Sequence, residues 1–421
     1  MRVNRSTGGP SAASFDAVIA TRSIHCLYQP VVNLESDNVV GYEALARGPA
    51  NSDWASPTVL VEHAAQTGLL PELDWICRAA AYRGALEAKL PAQMPLFVNI
   101  EPASSRTPCP TDLVEAIRQG TDRLQVVVEV TERSVASDPA ALLAVVERFR
   151  DQLHRVALDD VGAEADSQAM MSLIRPDVIK LDRSITQRPI TPQAASVINA
   201  VRAEADRTGA LILAEGIETP EHRDSARLLG ATLGQGWLLG YPASLPRHVA
   251  ASTASLPRLL TPPFSDTTPF DIVHAHSKSQ DATRRELLSR SRALEDQGVH
   301  ATEPTVLLAT FQHARFFDQA TRRRYSNLAA YGIFTAVYAQ DLPINPAPNV
   351  RGCPLAATDP LIGQWTVIVV GSQFAGGLFA KQHDIAATDP QRSFDLVTSD
   401  DRDLILAAAR PLLKRLTPVF N

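Results

Sequence analysis

The sequence predicts two α/β units in tandem: a (β/α)8 TIM-like barrel with an antiparallel first strand, then a smaller α/β or α+β domain. Three observations predict it. Across residues 20–245, short β-branched runs alternate with longer segments of helical pattern, and eight such runs occur, the number a closed barrel uses. Only the first two runs are joined tightly, by Glu35-Ser36-Asp37-Asn38, a hairpin turn that sets the first strand against its neighbour. A stretch rich in proline, serine and threonine then carries Pro246, Pro257, Pro262, Pro263 and Pro269, and beyond it the pattern restarts.

Taken in order, residues 1–15 are rich in Gly, Ser and Ala and read as a disordered lead-in. The barrel is expected over 16–248. Its strands fall at 27–34, 39–46, 95–100, 124–130, 155–158, 178–181, 210–214 and 231–234, with helices such as 57–67, 73–88, 140–151 and 193–208 between them. Residues 249–300 read as a linker whose charged segment 279–297 is a connecting or dimerising helix. The second domain is expected over 301–421. It has strand patterns at 306–312, 333–340, 365–371 and 374–382, a helical RRRYSNLAAYG at 322–332, and a closing amphipathic helix at 399–416.

Composition narrows the function classes. The 421 residues are 45% hydrophobic and 20% charged, which supports a packed core and excludes a disordered, collagenous or coiled-coil chain as a whole. A net charge of −6 leaves no overall basic footprint for binding DNA. No stretch approaches the ~18 apolar residues of a membrane span. The arginines at the start have no apolar run behind them, so no signal peptide is expected and the cytoplasm is the expected location. Cys26, Cys77, Cys109 and Cys353 are widely spaced and read as free thiols of a reducing compartment.

The chemistry gathers at strand ends. In such a barrel the residues finishing each strand face the carboxyl-end mouth. Here those residues are Glu43, Asn99, Glu129, Asp159 with Asp160, Lys180, Glu215 and Gln235. Carboxylates converging in one mouth repel unless cations hold them. An oxygen-rich set without His or Cys favours Mg²⁺ or Mn²⁺. One or two such ions suit phosphoester hydrolysis, with Lys180 orienting water or stabilising the transition state.

Glu43-Ala44-Leu45-Ala46-Arg47, following Tyr28-Gln29-Pro30, resembles the signature of EAL-domain cyclic di-GMP phosphodiesterases. The motifs FVNIEP (97–102), VEVTE (128–132), LDDVG (158–162), IKLD (179–182), AEGIET (214–219) and GQGWLLGYP (234–242) agree with that family in order and spacing. The resemblance implies that Glu43, Asn99, Glu129 and Asp159 hold one divalent metal, Asp160 and Glu215 the second, and that Gln235 supports the second ion's water shell. It makes Glu215 and Lys180 the catalytic pair and Gln29, Leu45, Arg47, Asp182 and Gln235 substrate contacts. It assigns Glu132 and Glu218 to holding the loop after the fifth strand.

The implied reaction converts cyclic di-GMP to linear pGpG. Two departures stand out: the loop reads DDVGAEADS (159–167) where the family usually has DDFGTGxSS, and Gly240-Tyr241-Pro242 replaces Gly-Arg-Pro. The altered loop motivates an alternative, a cyclic di-GMP receptor without turnover; a third class is an interaction protein whose barrel is only a scaffold.

Residues 304–421 resemble the DICT sensory domain through Arg324-Tyr325, a Val350-Arg351-Gly352 turn, Asp359-Pro360-Leu361, Gln364-Trp365 and Phe374-Ala375-Gly376. That resemblance implies a small-molecule or protein signal acting on the barrel. A homodimer is expected. No catalysis and no metal-spaced cluster are expected in this part; His313, His383 and Arg322–Arg324 read as solvated surface, and Trp365 as core, with an aromatic ligand pocket as the alternative.

Overall fold

The computed structural model describes residues 14–131, 137–163, 168–249, 256, 259, 267–300, 305–383 and 393–418. Of the expected disordered lead-in, 1–13 lie outside that set. Ser14 caps the short helix α1 (Phe15–Ala20), and Phe15 is buried.

Eight strands close into a barrel in sequence order. They are β1 (His25–Asn33), β2 (Val39–Arg47), β3 (Pro95–Asn99), β4 (Gln125–Thr131), β5 (Arg155–Val161), β6 (Val178–Leu181), β7 (Leu211–Ala214) and β8 (Leu233–Gly234). The expected reversal is present: β1 runs antiparallel to both β2 and β8. Its turn forms because Asn33 Oδ1 accepts the Glu35 and Ser36 amides at 3.0 and 2.9 Å. Asp37 takes the left-handed conformation, φ +59°, which a short polar side chain tolerates.

Proline sets many of the surrounding helix starts. The helices include α2 (Pro57–Gln66), α3 (Leu70–Glu87), α4 (Val114–Arg123), α5 (Pro139–Asp151), α6 (Gln168–Ile174), α7 (Arg183–Gln187), α8 (Pro192–Thr208) and α9 (Pro220–Leu228), of which α2, α3, α5, α8 and α9 carry proline at the first or second position. Asp138, Thr191 and Thr219 each cap a helix whose first residue is proline, accepting the amides of Ala141, Ala194 and His222. Cap and proline together satisfy or remove amides the helix cannot use.

The barrel interior is filled by Val31, Val40, Phe97, Val127, Ala157, Val178, Leu213 and Leu233. Because strand side chains alternate with period two, the residue two positions on faces the same interior, nearer the mouth. Those residues are Asn99, Glu129, Asp159, Lys180, Glu215 and Gln235. At the opposite end the chain after the barrel folds back: Leu256 is buried in the same interior cluster. Arg155 Nε donates to its carbonyl at 3.1 Å, and the Leu259 amide donates to Asp177 Oδ1 at 2.6 Å.

The second unit is a seven-stranded sheet in the order β12-β11-β10-β13-β14-β15-β9. Its strands are β9 (Gln280–Thr283), β10 (Val306–His313), β11 (Phe334–Gln340), β12 (Val350–Leu355), β13 (Gln364–Val370), β14 (Ala375–Gln382) and β15 (Ser393–Ser399). Helices α11 (Arg284–His300) and α12 (Gln319–Ala330) cover one face; α10 (Pro269–His274) and α13 (Arg402–Leu413) lie on the other.

Two expectations need correction. The segment 279–297 is not a free connecting helix: β9 pairs with β15, and α11 buries Leu287 against the sheet, so the expected linker joins the second domain there. Val350-Arg351-Gly352 is not a turn but the start of β12, paired with β11. Its glycine fits a strand here because a Cβ at Gly352 would meet the Pro343 carbonyl at 2.0 Å.

One apolar cluster runs from the barrel helices through α13 into the second sheet, including Leu142, Met171, Ile405, Leu412 and Ile368. Polar contacts line the same seam. Arg402 Nη2 donates to Ser172 Oγ at 2.8 Å, Arg175 pairs with Asp403 at 3.1 Å, and Lys414 pairs with Glu147 at 2.8 Å.

Candidate metal centre

Parallel register brings the strand ends level. Asn99 stands opposite Glu129 across β3 and β4, and Gln29 opposite Glu43 across the antiparallel pair β1 and β2. Consecutive strand residues ordinarily face opposite sides, so Asp159 and Asp160 should not share a site. The β5–β6 register breaks between Leu158 and Val161, and Asp160 takes φ +57°. That bulge turns both carboxylates to the mouth.

Lys180 is the centre of the cluster. Its ammonium lies 2.6 Å from Glu129 Oε1, 2.9 Å from Asp159 Oδ1, 2.9 Å from Glu215 Oε1 and 3.5 Å from Glu43 Oε2. Asn99 Nδ2 donates to Glu43 Oε1 at 3.2 Å and to Glu129 Oε2 at 3.1 Å. Gln235 Nε2 donates to Glu43 Oε2 at 2.7 Å and to Gln29 Oε1 at 3.2 Å, and Gln29 in turn donates to the Gly240 carbonyl at 3.0 Å.

Burial and charge set the protonation states. Burial works against the Lys180 charge, but Asp159, Glu129, Glu215 and Glu43 together hold its ammonium well above the usual range. Burial likewise opposes ionising Glu43, yet Lys180 and the Gln235 and Asn99 amides outweigh it and keep that carboxyl low. Glu129 is pushed well up by burial, reinforced by the Glu43 charge. Burial raises Glu215 to about 8 despite Lys180, and burial with the Asp159 charge raises Asp160 to about 6. One ammonium does not balance five carboxylates, so the mouth favours protons or added cations.

The donor set fits divalent cations. Glu43, Glu129 and Asp159 bring oxygens within 4.8 Å of one another, and Asp159, Asp160 and Glu215 do the same. The two triads share Asp159. All the donors are oxygens, as Mg²⁺ or Mn²⁺ prefers. Gln235 Oε1 is buried with no hydrogen-bond partner among the described residues, while its Nε2 faces Glu43. Asn99 presents its nitrogen to the carboxylates; ligating a cation takes a half-turn of the amide to present Oδ1.

A cavity of about 290 Å³ opens beside the cluster, lined by Leu45, Arg47, Asn99, Glu101 and Thr131 among others. Leu45 and Arg47 both line it, with Arg47 Nη1 donating to the Ala46 carbonyl at 2.8 Å. Glu101 was missed by sequence reasoning. Its signal was its place two residues after Asn99; its carboxyl is raised by burial, and its amide donates to Asp74 Oδ1 at 2.8 Å.

The remaining residues stand apart. Asp182 caps α7, Oδ1 accepting the Ser184 amide at 2.8 Å, so the expected substrate contact is engaged in a helix start. Glu218 is exposed outside the cluster. Glu132 and residues 164–167 of the rewritten loop lie outside the described residues. Val161, standing where the family has an aromatic, is fully buried and pairs with Leu181. Tyr241 stacks on Trp237 with ring centroids 5.7 Å apart.

Outside the barrel, Asp281, His383 and Asp395 gather within 4.8 Å, with His383 Nε2 3.2 Å from Asp395 Oδ1. No metal-spaced cluster was expected there. Sequence spacing hid it, because the three residues arrive from separate strands. The four cysteines are free, as expected.

The profile of the EAL domain family matches residues 13–242, and that of the sensory domain in diguanylate cyclases and two-component systems, DICT, matches 271–383. Among curated relatives, the probable cyclic di-GMP phosphodiesterase PdeB of Escherichia coli is 29% identical over 256 residues, 59% of this chain and 48% of PdeB. The cyclic di-GMP phosphodiesterase RocR of Pseudomonas aeruginosa is 28% identical over 239 residues, 55% of this chain and 61% of RocR. The chain thus spans about half the length of the curated relatives it matches.

A solved manganese and cyclic di-GMP complex of Klebsiella pneumoniae BlrP1 aligns at 24% identity and TM-score 0.46 over 52% of this chain and 56% of that one. No helix among the described residues is long and apolar enough to cross a membrane. With its motifs at the mouth of a closed barrel and more than half its length matched, the chain belongs to the EAL domain family.

Proposed function

We propose that the barrel hydrolyses cyclic di-GMP to linear pGpG with one or two Mg²⁺ or Mn²⁺ ions, and that the C-terminal domain governs the rate. The carrying observation is the pair of carboxylate triads sharing Asp159 around Lys180. Bound there, a divalent cation polarises a phosphoryl oxygen and lowers the pKa of water. The chain's own residues do the rest. Glu43, Asn99, Glu129 and Asp159 hold one position, Asp160 and Glu215 the other, and Gln235 the surrounding water. Glu215 and Lys180 orient the attacking water, whose oxygen bonds to phosphorus as the bond to the 3′ oxygen breaks.

Arg47, in the adjoining cavity, offers a charge-assisted contact to phosphate, with Gln29 and Leu45 beside the dinucleotide. Control runs through α13, whose Arg402 touches Ser172 on α6, the helix that follows the loop after Asp159 and Asp160. The protein is proposed to act as a cytoplasmic homodimer. The barrel's profile match and its similarity to two proteins named as cyclic di-GMP phosphodiesterases support this reading. A receptor that binds cyclic di-GMP without turnover is the second reading, favoured by the rewritten loop beginning at Val161. A Glu215→Ala change is expected to cut pGpG formation by about 10²–10⁴-fold while binding of cyclic di-GMP persists. An unchanged rate would remove Glu215 from the mechanism.

A further inference from the structure

A second cavity, of about 150 Å³, lies between α11 and α12 on the face of the second sheet turned away from the barrel. Helix α11 presents Arg284, Leu288, Ser291, Arg292 and Glu295 to it, residues at i, i+4, i+7, i+8 and i+11 that form one helical face. Phe311, Tyr325 and Trp365 supply aromatic walls, with Phe311 and Tyr325 edge-on at 5.5 Å.

The inner end is electrically closed. Glu295, 2% exposed, accepts from the Tyr325 hydroxyl at 2.7 Å and pairs with Arg324 at 2.8 Å, so its charge is already matched. Ser291, 4% exposed, accepts the Trp365 indole N–H at 3.1 Å. Its own proton has no acceptor among the described residues. At the rim, Arg292 is exposed and forms no ion pair among the described residues. The wall strand is also irregular: β10 slips register between Thr310 and His313, and buried Gln312 takes φ +60°. A bulge with left-handed backbone is a common way to re-aim side chains beside a site.

We infer that this cavity binds a single-ring aromatic carboxylate, its ring among Phe311, Tyr325 and Trp365 and its carboxylate turned to Arg292 and Ser291. Size sets the ring count, since a cavity of ~150 Å³ takes one benzene ring, whereas nucleotide-sized ligands need ~300 Å³ or more. Charge sets the sign: three arginines and two acids line the space, and with Glu295 paired to Arg324, Arg284 and Arg292 outnumber Asp318, whose carboxylate caps α12. The site names a chemistry for the signal in the proposed control of the barrel. Its test reads binding in the C-terminal domain, so it fails separately from the hydrolysis reading.

The test titrates full-length protein with benzoate, benzamide, benzylamine and acetate, using ligand-observed saturation-transfer NMR to obtain affinities. Benzoate is expected to saturate, benzamide to bind about tenfold more weakly, and benzylamine and acetate not to saturate. An Arg292→Glu change at this exposed position is expected to weaken benzoate about tenfold or more and leave benzamide unchanged. Ser291→Leu, which fills the cavity, is expected to abolish both; should that variant not fold, Arg292→Glu carries the test. Failure of benzoate to saturate by about 10 mM, equal affinity for benzoate and benzamide, or an unmoved benzoate affinity in Arg292→Glu overturns the inference.

Discussion

Lys180 stands within 3.5 Å of four carboxylate oxygens and is 1% exposed, so its charge compensates a buried acidic set rather than a solvated rim. Removing one partner of a buried ion pair leaves charge without compensation, at a loss of roughly 3–5 kcal/mol. Lys180→Met should lower folding stability by about that amount in urea denaturation, and Mn²⁺ should restore more stability to the variant than to the native chain. A loss below ~1 kcal/mol would mean that the Lys180 charge does not compensate the buried acidic set.

Protons and cations compete for the same oxygens. Glu215 is raised to about 8 and Asp160 to about 6, so apparent Mn²⁺ affinity should climb from pH 6 to pH 8 and level beyond it, as read by calorimetric titration. Stability runs the other way with pH. The fold retains a proton on Glu215 that the unfolded carboxyl, near its ordinary 4.5, has released. This contribution therefore favours the fold on the acid side and is lost as pH rises through about 8. Affinity independent of pH would contradict the assignment of Glu215 and Asp160 as ligands.

The β5 bulge is the element that turns two adjacent aspartates to one mouth. Aspartate and asparagine tolerate left-handed backbone, whereas a β-branched residue is strained there by roughly 1–2 kcal/mol. Asp160→Asn should keep the fold and lower Mn²⁺ stoichiometry in equilibrium dialysis; Asp160→Val should lower both stoichiometry and stability, by about 1–2 kcal/mol. Equal stability of the two variants would show that the backbone there is not constrained. The doubled aspartate was legible in the sequence, but the bulge was not, because Leu158-Asp159-Asp160-Val161 carries no glycine to mark it. The strands β3 to β8 were legible because the apolar interior residue precedes its site residue by two, as in Phe97 and Asn99. Strands β9, β12 and β15 were not: Gln280–Thr283 is short and polar, β12 contains Arg351, Gly352 and Pro354, residues that read as turn, and β15 mixes Ser393, Asp395, Thr398 and Ser399 among its apolar residues.

In the whole molecule, the barrel and the second sheet share one apolar cluster through α13, while the chain near Leu256 seals the barrel's far end. Sequence patterns mark two units, but not that β9 and α11 belong to the second, nor that α13 lies on α6. That contact depends on side chains more than two hundred residues apart in the chain, such as Arg402 with Ser172. The arrangement packs α13 against α6, the next described helix after Asp159 and Asp160. It leaves the open mouth, with its acidic cage and the cavity at Leu45 and Arg47, facing away from the sealed end. The most direct test of hydrolysis at that mouth is incubation of the full-length chain with cyclic di-GMP in Mg²⁺ or Mn²⁺, with nucleotides separated by chromatography. The account predicts many equivalents of pGpG per chain and none when the metal is chelated; cyclic di-GMP that stays bound and uncleaved with both metals would contradict it.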